Sequence, residues 1–139
     1  MQYGPDPNAI YPNEKIKSVC YIKNIITRPN IIVGDYTYYD DNNGAGRFEE
    51  HVTHHYEFLG DKLIIGKFCA IAKGIEFVMN GANHRMCSIT TYPFNIMGHG
   101  WEKVTPTLEE LPFKGDTVVG NDVWIGQNVT IMPGVHIGD

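Results

Sequence analysis

Val119-Gly-Asn-Asp-Val-Trp, Ile125-Gly-Gln-Asn-Val-Thr, Ile131-Met-Pro-Gly-Val-His and Ile137-Gly-Asp139 place an aliphatic residue at every sixth position, with glycine or a polar residue close behind. Six is a whole multiple of the strand period of 2 and a poor match to 3.6. Val119, Ile125, Ile131 and Ile137 therefore share one face of extended chain but would spiral around a helix. Val123, Val129 and Val135 fall four residues later and point the same way, so each hexapeptide has two inward residues and a polar turn. Such a unit cannot bury its apolar face alone. It does so by coiling and stacking at roughly 4.8 Å per layer, as a parallel β-helix in which three hexapeptides make one triangular coil.

Working outward, the register recurs from Leu59 to Ala82, with Leu59, Ile65, Ile71 and Phe77 in one row and Leu63, Cys69 and Ile75 in the other. Val33-Gly-Asp-Tyr-Thr-Tyr fits it once more. Four segments are expected. Residues 1–28 form a lead-in with one strand in the apolar stretch from Val19 to Ile26, in a capping role. Residues 29–82 form the first coils, with a small insertion at Asp40 to Gly46. Residues 83–118 lose the register and form an excursion loop. Residues 119–139 form a further coil, cut short. The last inward row has no polar cap, at about 1.5 to 3 kcal/mol for each uncovered residue, so the chain is expected to be the N-terminal part of a longer protein, truncated in mid-coil.

A formal charge of −5 gives no electrostatic footprint for nucleic acid or an anionic membrane. No apolar stretch approaches membrane-spanning length and no leader opens the chain, so a cytoplasmic protein is expected. The 3 cysteines, Cys20, Cys69 and Cys87, are odd in number and scattered, which argues for reduced thiols, with Cys69 buried at an inward position.

The excursion is long enough to imply a function. Asn80-Gly-Ala-Asn-His-Arg-Met opens it, Thr91-Tyr-Pro-Phe lies inside it, Gly100-Trp-Glu-Lys stands near its end, and Lys114-Gly-Asp with Gly120-Asn-Asp-Val-Trp-Ile-Gly follows. With Tyr3-Gly-Pro-Asp-Pro and Val33-Gly-Asp-Tyr-Thr-Tyr-Tyr upstream, these motifs resemble the xenobiotic acetyltransferases of the hexapeptide-repeat superfamily, and among them the streptogramin A acetyltransferases of the Vat type. The resemblance implies a left-handed β-helix, a homotrimer with active sites between subunits, and acetyl-CoA as donor. Two departures stand out. Cys87-Ser-Ile-Thr-Thr-Tyr-Pro-Phe is one residue longer than the segment in some relatives, and the later coils and C-terminal tail of the family are missing.

Acetyl transfer to an alcohol needs a base for the hydroxyl proton, and histidine serves at neutral pH. A lone loop histidine is more often a surface residue. The family's catalytic histidine, however, maps onto His84, with Asn83 either orienting it or occupying a left-handed turn. Trp124, read as a turn residue pointing outward, is a candidate contact for acetyl-CoA, with subunit packing as its bland counterpart. Tyr38 and Tyr56 resemble residues lining the antibiotic site, although composition alone favours core packing for each. Thr105 and Pro106 belong to the loop segment that encloses that site. His51, His54 and His55 read as strand-surface residues and His99 as a loop residue.

The expected function is O-acetylation of group A streptogramins, with no metal and no nucleic-acid or membrane partner. Chloramphenicol or another hydroxylated small molecule is the alternative acceptor. A γ-type carbonic anhydrase shares the coil but needs three zinc-binding histidines, which the spacing here does not supply. A covalent route through Cys87 lacks anything nearby to lower the thiol pKa. A non-catalytic β-helix is the remaining alternative.

Overall fold

In a computed structural model, residues 3–82, 99 and 113–138 are described. The strands, in chain order, are β1 (Val19–Tyr21), β2 (Ile31–Val33), β3 (Tyr38–Asp40), β4 (Val52–Thr53), β5 (Leu63–Ile65), β6 (Ala70–Ala72), β7 (Glu76–Val78), β8 (Thr117–Val119), β9 (Trp124–Ile125), β10 (Thr130–Ile131) and β11 (His136–Ile137). They sort into three sheets. Sheet I has the order β11-β8-β5-β2, sheet II β1-β3-β6-β9, and sheet III β10-β7-β4.

From β2 onward the chain visits sheets I, II and III in turn, three times over, and β11 begins a fourth round. Every contact between successive rounds is parallel. This is a triangular stack of coils, as the six-residue repeat requires. The inward residues form columns: Val33, Ile65 and Val119 in sheet I; Tyr39, Ile71 and Ile125 in sheet II; Val52, Phe77 and Ile131 in sheet III. Leu63, Cys69 and Ile75 fill the second inward row and are fully or almost fully buried.

The first coil is more complete than its sequence suggests. Only Val33 to Tyr38 carries the hexapeptide register, yet β4 supplies a third side by pairing with β7. Between β3 and β4 a 3-10 segment, Ala45–His51, drives Phe48 into the open end of the core, edge-on to Tyr39 at 5.5 Å and to Phe77 at 6.1 Å. β1 pairs antiparallel with β3 and closes the lower edge of sheet II, the one antiparallel pairing among the described strands. The Glu49 carboxylate accepts hydrogen bonds from the Thr27 and Arg28 backbone N–H groups, at 3.0 Å each, tying the lead-in to that 3-10 segment. Burial alone would raise the Glu49 carboxyl, but these bonds and the Thr27 hydroxyl outweigh it and hold the group below its ordinary value.

Several residues differ from their sequence reading. Leu59 ends a 3-10 turn, Glu57–Leu59, and is only half-buried, because the coil does not resume until Leu63. Val123 and Val129 are half-buried and Val135 is exposed, since no described coil lies over that row. Cys20 and Cys69 are free and buried; desolvation pushes the Cys20 thiol up to about 11.

Candidate functional site

Trp124 is a strand residue of β9, not a turn residue, and it does point outward, with 80% of its surface exposed. Its neighbours in register are Ala70 in β6 and, one coil further, Tyr38 in β3. Alternation explains the row: Tyr39, Ile71 and Ile125 point inward, so the residue before each points out. Tyr38 and Trp124 thus stand about 10 Å apart on the outer face of sheet II, two strand spacings, with only the Ala70 methyl between them. The slot has an aromatic wall at each end.

Tyr56 lies elsewhere. It follows β4 at the corner between sheets III and I, is 45% exposed, and stacks on Phe58 with ring centres 5.6 Å apart. Both candidate tyrosines are therefore outside the core. At the same corner the chain leaves β7, makes a 3-10 turn at Asn80–Ala82, and returns through Phe113, Lys114 and Gly115 to β8. Gly81 lies under Tyr56 so closely that a Cβ there would meet Tyr56 Cδ2 and the His54 carbonyl oxygen at 2.5 Å each. The absence of a side chain lets the ring and the backbone meet. His84, Asn83, Thr105, Pro106 and Cys87 lie outside the described residues.

Among the described residues one side chain joins the two ends of the excursion. Asn80 Oδ1 accepts the Lys114 N–H at 2.7 Å, and Asn80 Nδ2 donates to the Gly115 carbonyl at 2.8 Å. Asn80 is itself held by Asp61, whose Oδ2 accepts both the Asn80 backbone N–H and its Nδ2–H, at 2.9 Å each. Asp61 is fully buried. This pair was not visible in the sequence, where Asp61 reads as the solvated turn of a hexapeptide and Asn80 as a motif residue without a role.

The histidines read as strand-surface residues have other places. His51 ends a 3-10 segment with its Nε2 3.1 Å from the Tyr39 hydroxyl. His54 takes a left-handed backbone conformation, φ 53°, between β4 and the Tyr56 corner. His55 Nε2 donates to the Asp61 carbonyl at 2.9 Å. His99 is an exposed turn residue, also left-handed. Tyr39 also donates to Asp41 at 2.8 Å, and burial first, then Asp41, pushes its phenol above the usual range. Among the described residues no group of three or more His, Cys, Asp or Glu is placed to hold a metal ion, and no helix is long and apolar enough to cross a membrane.

Residues 116–139 match the family described as bacterial transferase hexapeptide (six repeats). Over 100 residues, 72% of this chain, the sequence is 76% identical to a probable macrolide acetyltransferase of Lysinibacillus sphaericus, covering 56% of that protein. It is 56% identical over 113 residues, 81% of this chain, to 51% of a virginiamycin A acetyltransferase of Staphylococcus aureus. A chloramphenicol acetyltransferase of Agrobacterium fabrum is 41% identical over 116 residues, 82% of this chain and 55% of its own length. The chain spans about half the length of the curated relatives it matches. The stacked coils, the repeat match and these similarities together place the chain in the hexapeptide-repeat transferase family.

Proposed function

We propose that the full-length protein is an acetyl-CoA-dependent O-acetyltransferase that inactivates group A streptogramins in the cytoplasm. The observation that carries the proposal is the division of the candidate residues. Tyr38 and Trp124 face outward on sheet II, while Tyr56 and the neck of the excursion occupy the corner between sheets III and I. In a three-sided coil that corner is opposite sheet II. One copy cannot bring its own two groups together, and a second copy set against the first can. A homotrimer of left-handed coils, with a site at each of three interfaces, accommodates this division.

In that site His84, carried on an excursion we read as opening at residue 83 and returning to the coil before β8, is the general base, with Asn83 beside it. Its neutral imidazole takes the acceptor's hydroxyl proton as the oxygen attacks the thioester carbonyl of acetyl-CoA. The carbon–sulfur bond breaks, and the imidazolium returns the proton to the departing thiolate, giving an acetyl ester and free CoA thiol. No covalent enzyme intermediate and no metal is needed. Tyr38, Tyr56, Thr105 and Pro106 wall the acceptor cleft, and Trp124 contacts the pantetheine arm. A large, mostly apolar ring with one secondary hydroxyl suits aromatic walls of this kind.

The higher identities to proteins named for macrolide and virginiamycin acetylation favour a large-ring acceptor over chloramphenicol. The test is CoA-thiol release by the full-length protein with acetyl-CoA and, separately, a group A streptogramin, a macrolide and chloramphenicol. The streptogramin is expected to show the highest kcat/KM. A higher value for chloramphenicol would reverse the assignment, and no release with any acceptor would remove it.

A further inference from the structure

The excursion begins and ends at one corner, and the only side chain seen bridging its two ends among the described residues is Asn80. Among the described residues Asn80 makes four polar contacts: two run to Asp61 Oδ2, one comes from the Lys114 N–H, and one runs to the Gly115 carbonyl. Because Lys62 pairs with Asp116 and Leu63 with Thr117 in the next coil, Asp61 stands level with Gly115, so the clamp spans two coils. Aspartates recur at the coil corners, as at Asp35, Asp116 and Asp122, but Asp61 differs from these in its burial. It is wholly buried, and among the described residues neither its second oxygen Oδ1 nor the buried Nδ1 of the neighbouring His55 has a hydrogen-bond partner. Burying a carboxylate with one oxygen unmatched is unfavourable, and an apolar residue would close the same corner at less cost. The carboxylate has a specific task in the arrangement seen: it fixes both the backbone and the amide of Asn80, and so the direction in which the chain leaves the coil.

We infer that Asp61 and Asn80 are positioning residues, a buried clamp that sets the neck of the excursion and through it the placement of His84, four residues beyond Asn80. The inference rests on the proposed role of His84 as base. A base carried by a long excursion is placed to within a fraction of an ångström only if the excursion's root is fixed, and a misplacement of about 1 Å lowers turnover by roughly 10²-fold. The clamp acts on geometry, so its loss reduces kcat and leaves the substrate walls on sheet II untouched.

The experiment is a double-mutant cycle in the full-length protein, with acetyl-CoA and a group A streptogramin as substrates. Asn80→Ala is expected to lower kcat about 10- to 100-fold, with KM for acetyl-CoA within about threefold of wild type. Asp61→Asn keeps one oxygen to accept from Asn80 and is expected to retain kcat within about threefold, whereas Asp61→Ala behaves as Asn80→Ala. The decisive readout is the His84→Ala/Asn80→Ala double variant. If Asn80 acts through His84, the double variant is no slower than His84→Ala alone. Multiplying losses, or an Asn80→Ala variant with wild-type kcat, overturns the inference while leaving His84 as base. Wild-type turnover by His84→Ala overturns the functional reading beneath it. Asn80→Asp, which is isosteric and keeps the acceptor for Lys114 while losing both side-chain donors, repeats the cycle should Asn80→Ala not fold. If neither folds where the wild type does, Asn80 is a folding residue and the inference is wrong.

Discussion

Gly81→Ala is the smallest change that tests how the corner is built. A methyl group at Gly81 would lie 2.5 Å from Tyr56 Cδ2 and 2.5 Å from the His54 carbonyl oxygen, where ordinary contact begins at 3.4 Å. Each neighbour must retreat by about 1 Å. The Tyr56 ring could swing, at the loss of its stacking on Phe58, but the His54 carbonyl is backbone and already accepts the Gly81 N–H at 3.0 Å. Overpacking of this kind costs about 1 to 3 kcal/mol, and the rigid backbone partner places Gly81→Ala in the upper half of that range. For a full-length protein in the range of about 150 to 250 residues that is a fall in Tm of about 4 to 12 °C. Thermal unfolding of the full-length protein is the assay, with Gly126→Ala as control, since a Cβ at Gly126 meets nothing within 4 Å. The control should stay within about 0.5 kcal/mol of wild type. Because Tyr56 is displaced, KM for the acceptor should rise in Gly81→Ala while KM for acetyl-CoA does not. Equal Tm values for the two variants would refute the close approach at this corner.

Three further expectations follow from other parts of the chain. His84→Ala should lower kcat by roughly 10² to 10⁴ with little change in KM for acetyl-CoA, measured by thiol release; near-normal turnover would end its assignment as base. Ala70→Leu should fill the slot between Tyr38 and Trp124 and raise KM for at least one substrate several-fold while circular dichroism stays unchanged, since the residue faces outward; unchanged kinetics would show that neither substrate uses the slot. Glu49 has a depressed carboxyl in the fold, so its contribution is present above the unfolded value near 4.3 and lost as pH falls through the lower folded value; Glu49→Gln should flatten the decline of Tm in that window, and an unaltered pH profile would contradict it.

The coil was legible because its signal is periodic. Val119, Ile125 and Ile131 repeat every six residues, and no other regular structure satisfies that spacing. The outward direction of Trp124 followed from the same register. The first coil was only partly legible, because β4 is two residues long and its closure depends on Phe48, which arrives from an irregular segment without a pattern of its own. Tyr38 and Tyr56 could be singled out only by resemblance, since a tyrosine beside a hexapeptide can face either way; it is the inward turn of Tyr39 that sends Tyr38 out. The Asp61–Asn80 clamp joins residues 19 apart in sequence, at a turn where acidic residues are ordinarily solvated, and nothing local distinguishes it.

The central claim is that each site takes Tyr38 and Trp124 from one copy and the neck with His84 from another. Mixing tests it most directly. A Tyr38→Ala/Trp124→Ala variant and a His84→Ala variant, each with little activity alone, are unfolded together and refolded, and thiol release is measured with acetyl-CoA and a group A streptogramin. In randomly mixed oligomers about a quarter of the interfaces pair an intact neck with an intact sheet II, so activity should return to about a quarter of wild type. If both groups came from the same chain, no mixed oligomer would hold an intact site, and activity no higher than the average of the two variants would contradict the account.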